Sequence, residues 1–463
     1  MSGSKTKRLA LLGGILAAVC GITLILLHLE QKKEDIRTSG EVILEIPTES
    51  VTAVSWSSEE KPSVSLHRED GHWYADGDDA FPVDDEKIEE LLIPFAAFTA
   101  AFQIEEPDDL AVYGLDQPMA ELHLTAGEEE TVIQLGDISE MDAQRYVSIG
   151  DGKVYLAAKD PFLSIDVLLG DLIENDEIPH FGEITSLELT GAEPLSITWQ
   201  AKGGPSLRES DHYFTQHRGE EVPLDTALVE DYLQALSRTA LTDFVTYDVT
   251  EEELSEFGLV QPQLTVQITY PDPDGGKEQT FTLAVSRDPA QLPAPEEDDP
   301  EEIIAYARVA DSPIVYQLTP DDYTALMACG FDDLRHRQVL PADYEAVTQM
   351  TVTLDSQTYA LSVEGESLRY LDAEVEGADV QNALTALTVQ EFTDQRSTGA
   401  PELGLRLTMK DGSAVTMSLD RFDGEQCLAV VDGVTLGLVD RSQVVELVEA
   451  IHAIVLGQPN TNN

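Results

Sequence analysis

Residues 108–118 read DDLAVYGLDQP, and residues 252–262 read EELSEFGLVQP. Paired acids, a leucine, an aromatic-Gly-Leu step and a closing Gln-Pro thus recur about 140 residues apart, a spacing of tandem domains rather than of a solenoid of short repeats. Any fold that accepts this chain must meet the backbone demands of that segment twice. Asp108 and Asp109, and Glu251 to Glu253, suit the first turn of a short helix, where they complement its dipole. Gly114 and Gly258 fall where that helix ends, consistent with a left-handed residue just past its last turn. Leu115 and Leu259 can fold back onto the core, and Pro118 and Pro262 stop the helix and launch the strands MAELHLT and QLTVQIT. Every residue of the motif has a folding role, and catalysis is needed to explain none of them.

Three units surround the motif. They open with VTAVSW from Val51, ITSLEL from Ile184 and VTQMTV from Val347, each alternating with the period of a half-buried strand. An aromatic-bearing strand and a helix follow. Pro82-Val83-Asp84 and Pro223-Leu224-Asp225 place a capping acid before apolar positions at helical spacing: Ile88, Leu91, Leu92 and Phe95, then Leu228, Tyr232, Leu233 and Leu236. In the third unit Asp379 takes the cap before Val380, Ala383, Leu384 and Leu387, and only GAPELGLRLTM remains of the motif, as in a degenerate copy. A strand with Phe102, Phe244 or Phe392 comes after each helix, further strands follow, and a helix closes each unit at 160–169, 319–328 and 440–456. The predicted fold is α+β, with tandem repeated domains of mostly antiparallel sheet and helices packed on one face. The expected boundaries are a tail at 1–8, a membrane anchor at 9–29, a linker at 30–41, units at 42–176, 179–335 and 339–456, and a tail at 457–463.

The anchor rests on residues 9–29, LALLGGILAAVCGITLILLHL, which carry no formal charge. About 21 residues rising about 1.5 Å each span a hydrocarbon core of roughly 30 Å. No small-x-small cleavage site follows, which argues against a removed signal peptide, and Val19 before Cys20 argues against a lipoprotein. Lys5, Lys7 and Arg8 on one side tie with Lys32, Lys33 and Arg37 on the other. The free amino terminus and Glu30, Glu34 and Asp35 favour a cytoplasmic N-terminus, with the body outside. That body is strongly acidic: 88 Asp and Glu against 27 Lys and Arg give a formal net charge of −61. Such a chain repels phosphate backbones and anionic lipid, which excludes nucleic acid as a partner and favours solubility, weak cation condensation or a basic partner. Three cysteines, Cys20, Cys329 and Cys427, are too few for a disulfide framework. A Cys329–Cys427 bridge and two inert buried thiols both stay open.

No P-loop, dinucleotide fingerprint, nucleophile elbow, HExxH or paired CxxC occurs. His67 and His72 are five apart, as are His212 and His217, but aligning GHWY with DHYF pairs only His72 with His212, so the recurrence is accidental. An odd spacing on a strand also sends two rings to opposite faces. Asp272 and Asp274 in DPDGGKE open like a calcium loop without its later ligands, and PAPEEDDPEE at 293–302 suits a solvated insertion. Trp56, Trp73, Tyr74, Trp199, Tyr213 and Phe214 could form a glycan or peptide surface, though core packing is the simpler use. No catalytic residue, cofactor or firm metal ligand is expected.

The strand GHWY, the Pro-x-Asp helix starts, the YGLDQP and FGLVQP turns and the strand end LGD at 135–137 together resemble the bacterial family called domain of unknown function 4340. The resemblance covers most of 42–335 well and 339–456 poorly. It implies an N-terminal membrane segment and no established activity. It also implies an association with ABC transporter permeases and the auxiliary subunits of gliding-motility-type exporters. The expected function is that of a non-enzymatic, single-pass, extracytoplasmic binding or scaffolding component, accessory to an ABC-type transporter. Two alternatives stand beside it: an envelope module for cell-wall glycan, peptide or divalent cation, and an anchored enzyme with a dispersed carboxylate site.

Overall fold

Val51, Val54 and Trp56 all point into the core, although strict alternation would turn Val51 outward. A register shift between Val51 and Ala53 restores it. The third repeat does the same with Val347 and Met350, where the register shifts between Val347 and Gln349. In the second repeat the buried pair Ile184 and Leu187 has the same spacing. Simple period-two reading misses this extra residue, which bends the strand while keeping both side chains buried.

The computed structural model describes residues 40–457 apart from 60, 142, 202–203, 273–274, 294–301, 366, 372 and 397–400. The expected membrane anchor at 9–29 lies outside the described residues. Among those described, no helix is long and apolar enough to cross a membrane. The chain divides into two compact units, one ending at Asn175 and the other beginning at Asp176.

The first unit holds strands β1 (Glu41–Leu44), β2 (Val51–Ser58), β3 (Val64–Glu69), β4 (His72–Ala75), β5 (Phe98–Ile104), β6 (Ala120–Ala126), β7 (Glu129–Ile138), β8 (Arg145–Ser148) and β9 (Val154–Ala157). They form one sheet in the order β4-β3-β2-β6-β7-β8-β9-β5-β1. The second unit holds two sheets. One contains β10 (Ser186–Gly191), β11 (Leu195–Trp199), β12 (Tyr213–His217), β13 (Glu220–Pro223), β14 (Phe244–Thr246), β15 (Leu264–Tyr270), β16 (Gln279–Arg287), β17 (Ala305–Val309) and β18 (Val315–Leu318). The other contains β19 (Val347–Leu354), β20 (Gln357–Glu364), β21 (Ser367–Tyr370), β22 (Ala373–Glu376), β23 (Val389–Phe392), β24 (Pro401–Met409), β25 (Ala414–Arg421), β26 (Gln426–Val431) and β27 (Val434–Asp440). Their orders are β13-β12-β11-β10-β15-β16-β17-β18-β14 and β22-β21-β20-β19-β24-β25-β26-β27-β23.

Eight strands follow one path in all three sheets. The ninth differs: β1 extends the first sheet beyond β5, whereas β13 and β22 extend the others at the opposite edge. Neighbouring strands pair antiparallel, as the pairs β2/β6, β10/β15 and β19/β24 at each sheet's centre illustrate. In each copy a helix carries the chain from one edge to the other. These helices are Asp85–Ala96, Thr226–Arg238 and Ala378–Ala386.

The first crossing helix buries Ile88, Leu91, Leu92 and Phe95, and Asp84 Oδ1 accepts from the backbone N–H of Glu86 at 3.0 Å and of Lys87 at 3.2 Å. The second is capped by Asp225, but its buried face is Val229, Tyr232, Leu233 and Leu236. Leu228, expected in the core, is only half-buried because the face turns one residue onward. In the third, the cap expected of Asp379 falls to Gly377, and Asp379 lies in the first turn with no side-chain capping bond at the start. The first closing helix is also shorter than expected: one turn, Phe162–Ile165, and a 3-10 turn, Leu169–Leu172, replace it. Asp160 stands just before that first turn, accepting from Phe162 N–H at 3.0 Å while Arg145 Nε and Nη2 meet its two carboxylate oxygens at 2.7 and 3.0 Å. The other closing helices are Pro320–Met327 and Arg441–Gly457. The last packs Val444, Leu447 and Ile451 into the core of the third sheet with Val380 and Leu384.

Replacing Asp84 with alanine removes both capping bonds at the crossing helix of the first unit. Urea unfolding should show a loss of about 1 kcal/mol for the transition of that unit, the usual worth of an N-cap.

Candidate functional site

The recurring motif joins an edge strand to the sheet's centre. After β5 the chain must return past β9, β8 and β7 to enter as β6 beside β2, and after β14 it must do the same to enter as β15 beside β10. Asp109 caps the 3-10 helix Leu110–Tyr113, its Oδ1 accepting from Ala111 N–H at 3.0 Å. Gly114 follows at φ 68°, and Leu115 N–H closes the turn on Leu110 O at 3.0 Å. In the second copy Thr250 and Glu253 form a capping box on the helix Glu251–Glu256, Gly258 sits at φ 72°, and Leu259 N–H reaches Leu254 O at 2.8 Å. Leu115 and Leu259 are buried. Pro118 and Pro262 each stand two residues before the next strand, β6 or β15. The LGD strand end belongs to the same joint: a side chain at Gly136 would strike Tyr113 O, and one at Gly114 would strike the backbone N of Asp137 at 2.8 Å. The two turns belong to separate copies and are not brought together into one site.

A second constellation was not anticipated. Between the second and third sheets the linker Arg335-His336-Arg337-Gln338 is bonded on both sides. His336 Nε2 meets Asp211 Oδ1 at 2.9 Å, and its Nδ1 meets Asp225 Oδ2 at 3.2 Å. Asp211 is 1% exposed and also accepts from Ser206 Oγ at 2.6 Å. Arg208 donates to Gln338 Oε1 at 2.6 Å and to Leu340 O. From the third repeat Val389 N–H bonds Arg337 O at 2.7 Å, and Val339 N–H bonds Leu387 O at 2.9 Å. A neutral imidazole has only one N–H, so donating to both carboxylates requires the charged ring. Burial opposes that charge, but the hydrogen bonds to Asp211 and Asp225 prevail and raise the affinity of His336 for its proton. The same bond, against burial, holds Asp225 below the usual carboxylate range. The signal in the sequence was a basic Arg-His-Arg run at a unit boundary of a very acidic chain; its acidic partners were too distant to read.

An open groove of about 530 Å³ runs along the same junction, lined by Arg208, Glu209, Asp343, Glu345, Lys410 and Asp411 among others. Two of its carboxylates serve the local backbone: Asp343 Oδ2 accepts from Glu209 N–H at 2.8 Å, and Asp411 Oδ1 from Ser413 N–H at 2.8 Å. The hydroxyl and N–H of Ser413 hold Asp411 below the usual carboxylate range.

Of the calcium candidates, Asp272 is at a turn whose carbonyl accepts from Gly275 N–H at 2.9 Å, and Asp274 lies outside the described residues. No group of three or more His, Cys, Asp or Glu able to hold a metal occurs among the described residues. His67 and His72 turn to different acids, Asp76 at 2.6 Å and Asp85 at 2.8 Å, while His217 stacks on Phe331 with ring centres 4.1 Å apart. Cys329 and Cys427 are free and buried, and burial pushes each thiol up to about 11. Trp56, Trp73, Tyr213 and Phe214 are core residues; Tyr74 and Trp199 are half-buried.

A family model described as a domain of unknown function, DUF4340, matches residues 73–262 and again residues 216–406. The chain belongs to the DUF4340 family. The first DUF4340 match starts on β4 and ends at Pro262 of the second helix stop, and the second starts on β12 and ends on β24. Each match therefore crosses from one repeat into the next, and the second reaches into the third sheet, where sequence resemblance is faint. Among curated proteins none matches this DUF4340 chain.

Two measurements test these joints. Gly114→Val places a β-branched residue at positive φ and against the backbone of Asp137. It should cost more than the ~1–3 kcal/mol of the conformation alone. Gly258→Val meets the softer Ser286 Oγ and Pro289 Cγ and should cost less, with both read by chemical unfolding. For His336 the folded affinity for a proton is raised, so its stabilisation is complete below the ordinary imidazole range near about 6.5. It is lost as pH rises through the higher folded value. Asp225 acts at the other end, its contribution disappearing as pH falls through its lowered value. Burial and Arg218 push His217 the opposite way from His336. The test is therefore the difference between wild type and His336→Gln. Wild type should lose melting temperature from neutral to alkaline pH, and the variant should lack that part of the decline.

Proposed function

We propose that the chain is a single-pass, membrane-anchored binding or scaffolding protein without catalytic chemistry of its own. On this reading its N-terminus is cytoplasmic, its acidic repeats lie outside the membrane, and it is accessory to an ABC-type transporter. The observation that carries it is the use made of the recurring residues. Gly114 and Gly258 end a turn at positive φ, Leu115 and Leu259 enter cores, and Pro118 and Pro262 precede central strands. What the copies share is therefore a way of building a sheet, and repeated sheets present repeated surface. The uncharged run at 9–29 supports the tether, with a length that suits a bilayer. A net charge of −61 supports a protein or cationic partner over nucleic acid. The transporter partner rests on the family resemblance.

The full-length chain, tagged at its C-terminus and extracted in mild detergent, should co-purify with ABC permease subunits identified by mass spectrometry. Recovery of the chain alone across several detergents and salt concentrations would remove the transporter assignment.

A further inference from the structure

Basic residues are outnumbered 88 to 27 in this chain, yet three arginines meet on one surface of the second unit. The Arg335 guanidinium lies 3.5 Å from the ring centre of Phe392 and 5.0 Å from that of Phe331. Arg337 lies over the same Phe392 ring at 5.2 Å. Two residues beyond Phe392, Asp394 Oδ1 is 2.6 Å from Arg218 Nη2, and the neighbouring His217 stacks on Phe331. The ring of contacts closes through Asp332, 2.9 Å from Arg335. Three fixed positive charges thus face two carboxylates, a local excess of the opposite sign to the chain.

Three features make the cluster more than a joint. Arg335 is fixed between aromatic faces with its planar fork pre-organised, and its buried Nε has no hydrogen-bond partner among the described residues. Burial, joined by Arg218 and Arg337, lowers its hold on its proton against the pull of Asp332 and Asp394, so like-charge repulsion is present for an anion to relieve. Arg218 and Asp394 are both well exposed, with side chains 58% and 75% accessible, so their ion pair can open at little cost.

We propose that Arg218, Arg335 and Arg337, backed by Phe331 and Phe392, form a binding site for a carboxylate group of a ligand, with Asp394 holding its place in the free protein. Asp394 already shows the geometry: a carboxylate on a side chain meets Arg218 at hydrogen-bond distance. An incoming carboxylate displaces it and gains Arg337 and the stacked guanidinium of Arg335, as arginine clusters recognise acidic groups elsewhere. The site stands independently of the transporter reading, because it needs neither the membrane nor a partner protein.

The test is calorimetric titration of the full-length chain with citrate and, separately, inorganic phosphate at low ionic strength. A chain of this charge repels anions at long range, so saturable binding reports a local site. Citrate should bind saturably. Asp394→Asn should tighten it by up to about fivefold, the scale of one exposed ion pair. The double variant Arg218→Gln/Arg337→Gln, both positions exposed, should weaken it at least about tenfold. No saturable citrate binding to Asp394→Asn, phosphate binding without citrate binding, or unchanged affinity in the double variant would each overturn the site.

Discussion

An imidazole set between two carboxylates ties the linker after the second sheet to that sheet's repeat, beside the bonds made by Arg208. His336 sits in a linker, where a chain of sheet repeats would otherwise be free to hinge, and it donates from both nitrogens to carboxylates of the preceding repeat. Asp225 has a double duty there, since the same side chain caps the crossing helix Thr226–Arg238 through Ala227 N–H at 3.1 Å. Removing His336 leaves the buried carboxylate of Asp211 without that cation, which costs more than the pair itself is worth. The linker's backbone then continues the bonding into the third repeat through Val339 and Arg337. Junction and helix cap therefore share one carboxylate, with Oδ1 on the helix and Oδ2 toward the ring.

The repeated sheets pose a second constraint, which is topological. A strand order that jumps from one edge to the other and then to the centre needs two long returns per copy. An amphipathic helix performs the first, burying one face beneath the strands it crosses. The helix stop performs the second, and its glycine allows a change of direction at positive φ that other residues resist. Antiparallel pairing then does the rest, since sequential neighbours from β6 to β9 can zip by hairpins. The third copy reaches the same order without that stop among its described residues: β24 begins directly at Pro401, and Gly404 lies within the strand. Topology has outlasted the sequence motif that marks it in the other two copies.

That survival sets what could be read from the letters. Local rules were legible: Asp84 and Asp225 announce their caps, Ile88 to Phe95 their helix face, and Gly114 and Gly258 their turns, because each depends on residues a few positions apart. Rules with a competing solution misled. Asp379 looks like a cap, yet the helix starts at Ala378 with Gly377 outside it, and Asp160 looks like the start of a long helix, yet only the single turn Phe162–Ile165 follows it. The shifted strands at Val51 and Val347 were hidden because a bulge mimics alternation for most of its length. The His336 cluster was out of reach: its acids stand 125 and about 111 residues upstream, and only the fold sets them beside the ring.

The scarce basic residues give a common thread to these interior contacts. Arg145 is 5% exposed, its guanidinium donating to Asp160 and to Gly136 O. Arg208 and His336 are spent on the linker, and Arg441 holds Glu402 at 2.9 Å where the last helix leaves β27. Arg145, His336 and Arg441 are each matched at their joint by at least one carboxylate, so these pairs leave the chain's large negative excess to the remaining surface. Such a surface screens by attracting cations and keeps copies apart. It also lends significance to any place where arginines remain outside. Arg218 and Arg337 are exposed beside Phe392, where two arginines stand together on an otherwise acidic chain.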